Sequence, residues 1–372
     1  MKRGKKILFA VLMLLATLIG LNAVASRMVR HPAADAYENI YTGHPTRIHT
    51  LKPGARATIH MGLFGNYAAQ WQASGATYEV AINEQGYRDD PFGVKNPLRI
   101  VALGDSATFG WDVEMDEAWP QVLERMLRGE GLDVEVLNLG VPGYSSHQGL
   151  LLLPEVWKLQ PDILLVAYGR NDELDTAFSP TAHARGRTDA ELMPGDRIVA
   201  PPEKSWKQKL RATALYRVAV KLIAEKMSEP SPDEKTPAQA ADALRRVPLA
   251  EYGRNLKTFI AQAREHDTPI VLISIGCFFE EYRQAMFAVG KQENVTVINT
   301  FPLLFQKVET IKSAPAYAQC RKWLIQWLGA ATLNSSPGGW LWFSTDFGHP
   351  NACGQQVIAE AVRPYLPLPT PE

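Results

Sequence analysis

Cysteine is scarce in this 372-residue chain, which carries only Cys277, Cys320 and Cys353. They form no Cys-x-x-Cys pair and no zinc spacing, and their odd number excludes a dense disulfide framework. In an oxidising compartment such a set predicts one bridge and one free thiol. Neither sign of charge is in excess, with 39 basic and 39 acidic residues. No basic stripe or acidic tail breaks that balance, so composition gives no argument for nucleic acid as a partner. Internal repeats are lacking, which removes solenoids and propellers. Gly-x-Ser-x-Gly, His-Glu-x-x-His and the glycine-lysine phosphate loop are all missing. The α/β-hydrolase elbow, the zinc protease and the phosphate-loop readings therefore have no support.

Long apolar runs are also lacking, except at the start. Lys2, Arg3, Lys5 and Lys6 precede an apolar stretch over residues 7–21. Cations in that position keep the start of a chain on the cytoplasmic side. Ala23-Val24-Ala25 followed by Ser26 reads as a small-x-small cleavage site. The stretch holds about 15 apolar residues, or about 19 to Ala25, between a signal peptide and a short spanning helix. Residues 1–25 are thus expected to be a signal peptide or a membrane anchor, with a lean toward an uncleaved anchor in the inner membrane. Either way the remainder is expected outside the cytoplasm, in the periplasm or on the cell surface. No cysteine lies near the cleavage site to take a lipid.

Residues 26–97 read as a linker to about residue 50, then a β-rich lead-in with short alternating stretches punctuated by glycine. From Leu98 strand-length apolar runs alternate with helix-period segments. Strands are expected at 98–103, 134–138, 163–168, 269–275 and 294–299. Helices are expected near 117–128, 146–159, 250–266, 280–291 and 353–364. This alternation predicts βαβ units and an α/β fold with a mainly parallel sheet. The domain is read as 98–366, with insertions at about 176–247 and 306–341. The first insertion carries an amphipathic helix over 210–227.

Four segments carry chemistry. Gly104-Asp105-Ser106-Ala107-Thr108-Phe109-Gly110 follows the first strand. A serine at the carboxyl end of a parallel strand sits where ligands bind in open α/β sheets. Asn138-Leu139-Gly140-Val141-Pro142-Gly143 follows the second strand, and Gly143 could present its backbone N–H to an oxyanion. Gly169-Arg170-Asn171-Asp172 ends the third, and Asn171 offers amide donors at the same edge. Asp346-Phe347-Gly348-His349 precedes the last helix. An imidazole can take a hydroxyl proton near neutral pH, and a carboxylate three residues earlier can orient it. Singly, the first three segments also read as plain turns, and the fourth as a loop with a solvated histidine.

In this order the blocks closely resemble the SGNH/GDSL hydrolase family: GDSxTxG at 104–110, the second-block glycine at Gly143, GxND at 169–172 and DxxH at 346–349. The resemblance implies a three-layer α/β/α sandwich of flavodoxin-like type and acyl transfer through a serine ester, without cofactor or metal. It implies Ser106 as nucleophile, His349 as base and Asp346 as its orienter. The implied oxyanion hole is the Ser106 and Gly143 backbone N–H groups with the Asn171 side chain. The expected activity is a serine esterase on O-acyl, above all O-acetyl, esters of an acylated carbohydrate on envelope or secreted polysaccharide. The alternatives are an O-acyltransferase to polysaccharide, a lipid esterase and a non-catalytic binding protein of polysaccharide machinery.

Other residues stay open between two readings. Trp323, Trp327, Trp340 and Trp342 could form a lid, a sugar-stacking surface or core. Arg170 could meet an anionic substrate or lie on the surface, and His147 could line the pocket or be solvated. Cys353, four residues after His349, could staple that loop to Cys320.

Overall fold

The computed structural model describes residues 3–28, 37–61, 76–95, 98–176, 186–192, 244–276, 279–328 and 349–368. Helix α1, Arg3–Met28, contains the apolar N-terminal stretch. Its Phe9, Leu14, Ile19 and Val24 are exposed and take no part in the core. The apolar stretch rises about 22 Å over residues 7–21, or about 28 Å to Ala25, at 1.5 Å per residue, against a hydrocarbon layer about 30 Å thick. Among the described residues no helix is long and apolar enough to cross a membrane. The expected spanning anchor is therefore unsupported, although the helix itself is formed.

The lead-in begins earlier than its alternation indicated. β1 (Tyr41–His44) and β2 (Ile48–Leu51) form an antiparallel hairpin within the stretch read as linker. Strands this short leave little period to read, yet Ile40 and Leu51 are fully buried. β3 (Arg56–His60) pairs antiparallel with β4 (Thr77–Ala81). Ala57, Ile59, Tyr78 and Val80 alternate inward and join the main core.

The apolar run from Leu98 forms β5 (Leu98–Gly104), and the short helix α2 (Ser106–Phe109) follows at once. Then come α3 (Trp119–Gly129), β6 (Val134–Gly140), α4 (Ser146–Val156) and β7 (Ile163–Ala167). After the first insertion the alternation resumes with α5 (Leu249–Glu265), β8 (Ile270–Ser274), α6 (Glu280–Glu293) and β9 (Thr296–Asn299). α7 (Leu303–Gln306) leads into the second insertion, which contains α8 (Val308–Ser313) and α9 (Ala318–Leu328). The chain closes with α10 (Ala352–Val362).

The five strands form one parallel sheet in the order β6-β5-β7-β8-β9. All but the edge strand β9 are buried on both faces, which explains their near-continuous apolar runs. The order reverses after β6: one crossover runs outward from β5, the next runs back past it to β7. Right-handed crossovers then place α3 on one face and α4, α5 and α6 on the other. The helix contacts agree, since α10 packs on α3 while α5 packs on α4 and α6. The expected three-layer α/β/α arrangement is present.

The lead-in is welded to this sheet by Arg88, which is fully buried. Its guanidinium donates to the carbonyls of Phe109, Gly110 and Val113, and to Glu79 of β4. The segment just after α2 is thereby fixed from the amino-terminal side.

Candidate functional site

Three of the four motif segments follow the carboxyl ends of adjacent strands. β5 lies between β6 and β7, with Gly104 opposite both Gly140 and Ala167. Strands about 4.8 Å apart bring the loops after them into contact. The switch point of the sheet is therefore where Ser106, Gly143 and Asn171 converge.

Ser106 opens α2, and Asp105 caps it by accepting the Ala107 N–H at 2.9 Å. The turn presses hard onto β6. A Cβ on Gly140 would lie 2.3 Å from the Phe109 nitrogen, so only glycine lets the turn settle there. Ser106 stays half-buried.

His349 reaches this serine from the far end of the chain, with Nε2 3.0 Å from Ser106 Oγ. Asn351 caps α10 by accepting the N–H groups of Cys353 and Gly354, which fixes where the helix starts. Gln355 on that helix is fully buried. Its amide nitrogen donates to the Ala107 and Pro350 carbonyls, and its oxygen accepts the Trp119 N–H. One side chain thus joins the serine turn to the histidine loop. A disulfide between Cys320 and Cys353 ties α10 to α9, with Cα atoms 5.4 Å apart. The staple considered from the sequence is formed, and Cys277 lies outside the described residues.

Gly143 has φ +83°, a conformation that favours glycine. The peptide preceding it is held by His49, whose Nε2 is 3.0 Å from the Pro142 carbonyl. Asn171 is nearly buried. Its Nδ2 donates to Asp105 Oδ2 and to the Tyr144 carbonyl, both at 3.0 Å. Its Oδ1 accepts from Arg246 at 3.1 Å.

Burial dominates the electrostatics. It pushes the Asp105 carboxyl up to about 6, against the pull of the Ala107 N–H, His349, Arg170 and Arg246. Asp172 is pushed up to about 7 by burial, despite bonds from the Ser146 hydroxyl and N–H. Arg170 pairs with buried Glu173 at 2.9 Å. His147 Nδ1 lies 3.8 Å from Glu251.

The geometry brings together Ser106, Gly143, Asn171 and His349. Asp346, Trp340 and Trp342 lie outside the described residues, as do the side chains of Trp323 and Trp327 and the helix expected at 210–227. The sequence reading missed Arg88, Gln355 and Arg246, since no local pattern marks a buried polar residue whose partners are distant. Among the described residues no group of histidine, cysteine and carboxylate side chains could hold a metal.

The chain is similar to several known proteins. An arylesterase of Vibrio mimicus is 34% identical over 77 residues, 20% of this chain and 38% of that protein. A thioesterase 1/protease 1/lysophospholipase L1 of Escherichia coli K12 is 35% identical over 82 residues, 22% of this chain and 38% of its relative. The chain thus spans well under half the length of these curated relatives. The crystal structure of TesA aligns at 17% identity with a TM-score of 0.38, over 72% of this chain and 98% of that one. A variant of an acetyl xylan esterase of Geobacillus stearothermophilus aligns at 15% identity with a TM-score of 0.38, over 73% of this chain and 95% of that one. The sequence pattern of the GDSL-like Lipase/Acylhydrolase family matches residues 102–357, more than half of the chain, and the chain belongs to that family.

Proposed function

We propose that this chain is a serine esterase of exported type that hydrolyses O-acyl esters through an acyl-enzyme. The observation that carries the reading is the 3.0 Å contact between His349 Nε2 and Ser106 Oγ at the switch point of the sheet. Ser106 Oγ attacks the acyl carbonyl as His349 takes its proton. The tetrahedral oxyanion is met by the Ser106 and Gly143 N–H groups and by Asn171 Nδ2. Because both Nδ2 protons bond Asp105 and Tyr144 in the free enzyme, the oxyanion must share or displace one of these bonds. The alcohol leaves with the proton from His349. Water, deprotonated by the same imidazole, then attacks the acyl carbon and frees Ser106. Asp346 orients the imidazole and stabilises its charged form.

Export is supported by the cation-led apolar start and by the exposed apolar side chains of α1, which need a lipid or translocation partner. The Cys320–Cys353 bridge agrees with an oxidising compartment. For an exported acylhydrolase we propose O-acetyl groups of envelope or secreted polysaccharide as the substrate. The test is turnover of p-nitrophenyl esters of rising chain length and acetate release from acetylated polysaccharide, using full-length wild type beside Ser106→Ala. Acetyl preference lost in the variant supports the reading. Preference for long acyl chains overturns the acetyl assignment, and equal turnover by Ser106→Ala overturns the nucleophile.

A further inference from the structure

A single guanidinium grips both loops proposed to stabilise the oxyanion. Arg246 is 1% exposed and sits where the chain returns from the first insertion. Its N–H bonds the Leu174 carbonyl at 2.8 Å, and Val247 N–H bonds the Asp172 carbonyl at 3.1 Å, so the returning segment is laced to the Asn171 loop. The side chain then spreads its fork. One terminal nitrogen donates to Asn171 Oδ1 at 3.1 Å. The other donates to the Gly143 carbonyl at 2.7 Å and to Asp189 Oδ2 at 2.9 Å, while Nε donates to Asp189 Oδ1 at 3.2 Å. Asp189, also buried, is 2.7 Å from the Ser145 hydroxyl, at the start of α4.

We propose that Arg246, held by Asp189, is a positioning residue that aims and polarises the oxyanion donors. The inference rests on the serine-esterase reading above. Its first effect is orientation. An amide flipped by half a turn would put Asn171 Oδ1 where its donor nitrogen is needed, and a cation on Oδ1 forbids the flip. Its second effect is electronic. A charge-assisted bond to Oδ1 draws electron density from the amide nitrogen and makes its N–H groups better donors in a buried setting. Its third effect is on the glycine loop. Gly143 is held on both sides, by His49 at the preceding carbonyl and by Arg246 at its own. A buried cation would cost more than it gives unless neutralised, and Asp189 supplies the counter-charge in a bidentate pair. Arginine is required because lysine lacks a planar fork that reaches three acceptors at once.

The test uses the full-length chain with Arg246→Ala, Arg246→Lys and Asn171→Ala, and the double variant Arg246→Lys/Asn171→Ala. Active sites are counted by exhaustive fluorophosphonate labelling, so kcat is expressed per competent serine, and thermal unfolding checks the fold. The expected result is full labelling with kcat reduced about 100-fold or more in Arg246→Ala, KM within a few-fold, and a smaller loss in Arg246→Lys. In the Asn171→Ala background Arg246→Lys should cost much less than in the wild type, the remaining loss being its hold on the Gly143 carbonyl. Should Arg246→Ala not fold, the lysine variant and the double variant decide alone. Unchanged kcat per labelled serine in a folded variant, or losses that multiply in the double variant, would reduce Arg246 to a structural ion pair and overturn the inference. Absence of both labelling and turnover in the wild type would instead sink the esterase reading, and the inference with it.

Discussion

His349 Nε2 stands 3.0 Å from Ser106 Oγ across 243 residues of sequence. The distance is maintained by Gln355, which bonds Ala107 beside the serine and Pro350 beside the histidine. Replacing Gln355 with alanine leaves the Ala107 carbonyl and the Trp119 N–H without this partner. Stability should fall by about 1–3 kcal/mol, the usual cost of stranding a buried polar group. Activity should fall about tenfold or more, since misplacement by about 1 Å at a reacting pair can cost 10²-fold. Thermal unfolding and esterase kinetics on the same preparation check both, and unchanged kcat would refute the bridging role.

The disulfide should matter to activity as well as stability. Cys320 and Cys353 close a loop with a sequence separation of 33, and α10 carries the histidine loop at its start. Chain entropy assigns such a closure about 3–4 kcal/mol. Reduction by dithiothreitol, or the Cys320→Ser/Cys353→Ser pair, should lower the melting temperature by several degrees and reduce turnover. Equal melting with and without reductant would mean that packing alone holds α10.

Gly140→Ala should be among the most damaging single-methyl additions in the chain. The new Cβ would meet the backbone of Thr108 and Phe109, at 2.7 and 2.3 Å, and backbone cannot swing aside. Overpacking of this kind costs about 1–3 kcal/mol. Here it would also push the Ser106 turn off the sheet edge, so kcat should fall in whatever fraction folds. Wild-type kinetics in a stable Gly140→Ala protein would show that the turn has slack.

Asp172 gives a pH signature. Its folded carboxyl titrates at about 7, above its ordinary value of 3.8, because burial penalises the charge. The folded state thus binds the proton more tightly than the unfolded state. The resulting stabilisation is complete below the unfolded value and is lost as pH rises toward 7. The slope reaches about 1.4 kcal/mol per pH unit for a full proton. Relative to wild type, Asp172→Asn should therefore gain stability between pH 4 and pH 8. A flat difference across that range would contradict the assignment.

The strands of the sheet and the motif residues at their carboxyl ends were legible because buried parallel strands read as apolar runs and the four motif blocks are continuous in sequence. β5, β7 and β8 fall within about a residue of expectation, β6 and β9 within two. The hairpin over 41–51 was not legible, because strands of four residues carry too little alternation. Arg88, Gln355 and Arg246 were invisible for another reason. Their partners are mostly distant carbonyls and amides, and a lone polar residue in sequence looks the same whether buried or solvated. The spanning anchor stays unsupported, since among the described residues no helix is long and apolar enough to cross a membrane.

The most direct test of the central claim is intact-mass and peptide mapping of the full-length chain after fluorophosphonate treatment, with His349→Ala and Ser106→Ala alongside. The account predicts one adduct on Ser106, formed at least about 10³-fold more slowly in His349→Ala and absent from Ser106→Ala. An adduct on another residue, or none on a folded wild-type chain, would contradict it.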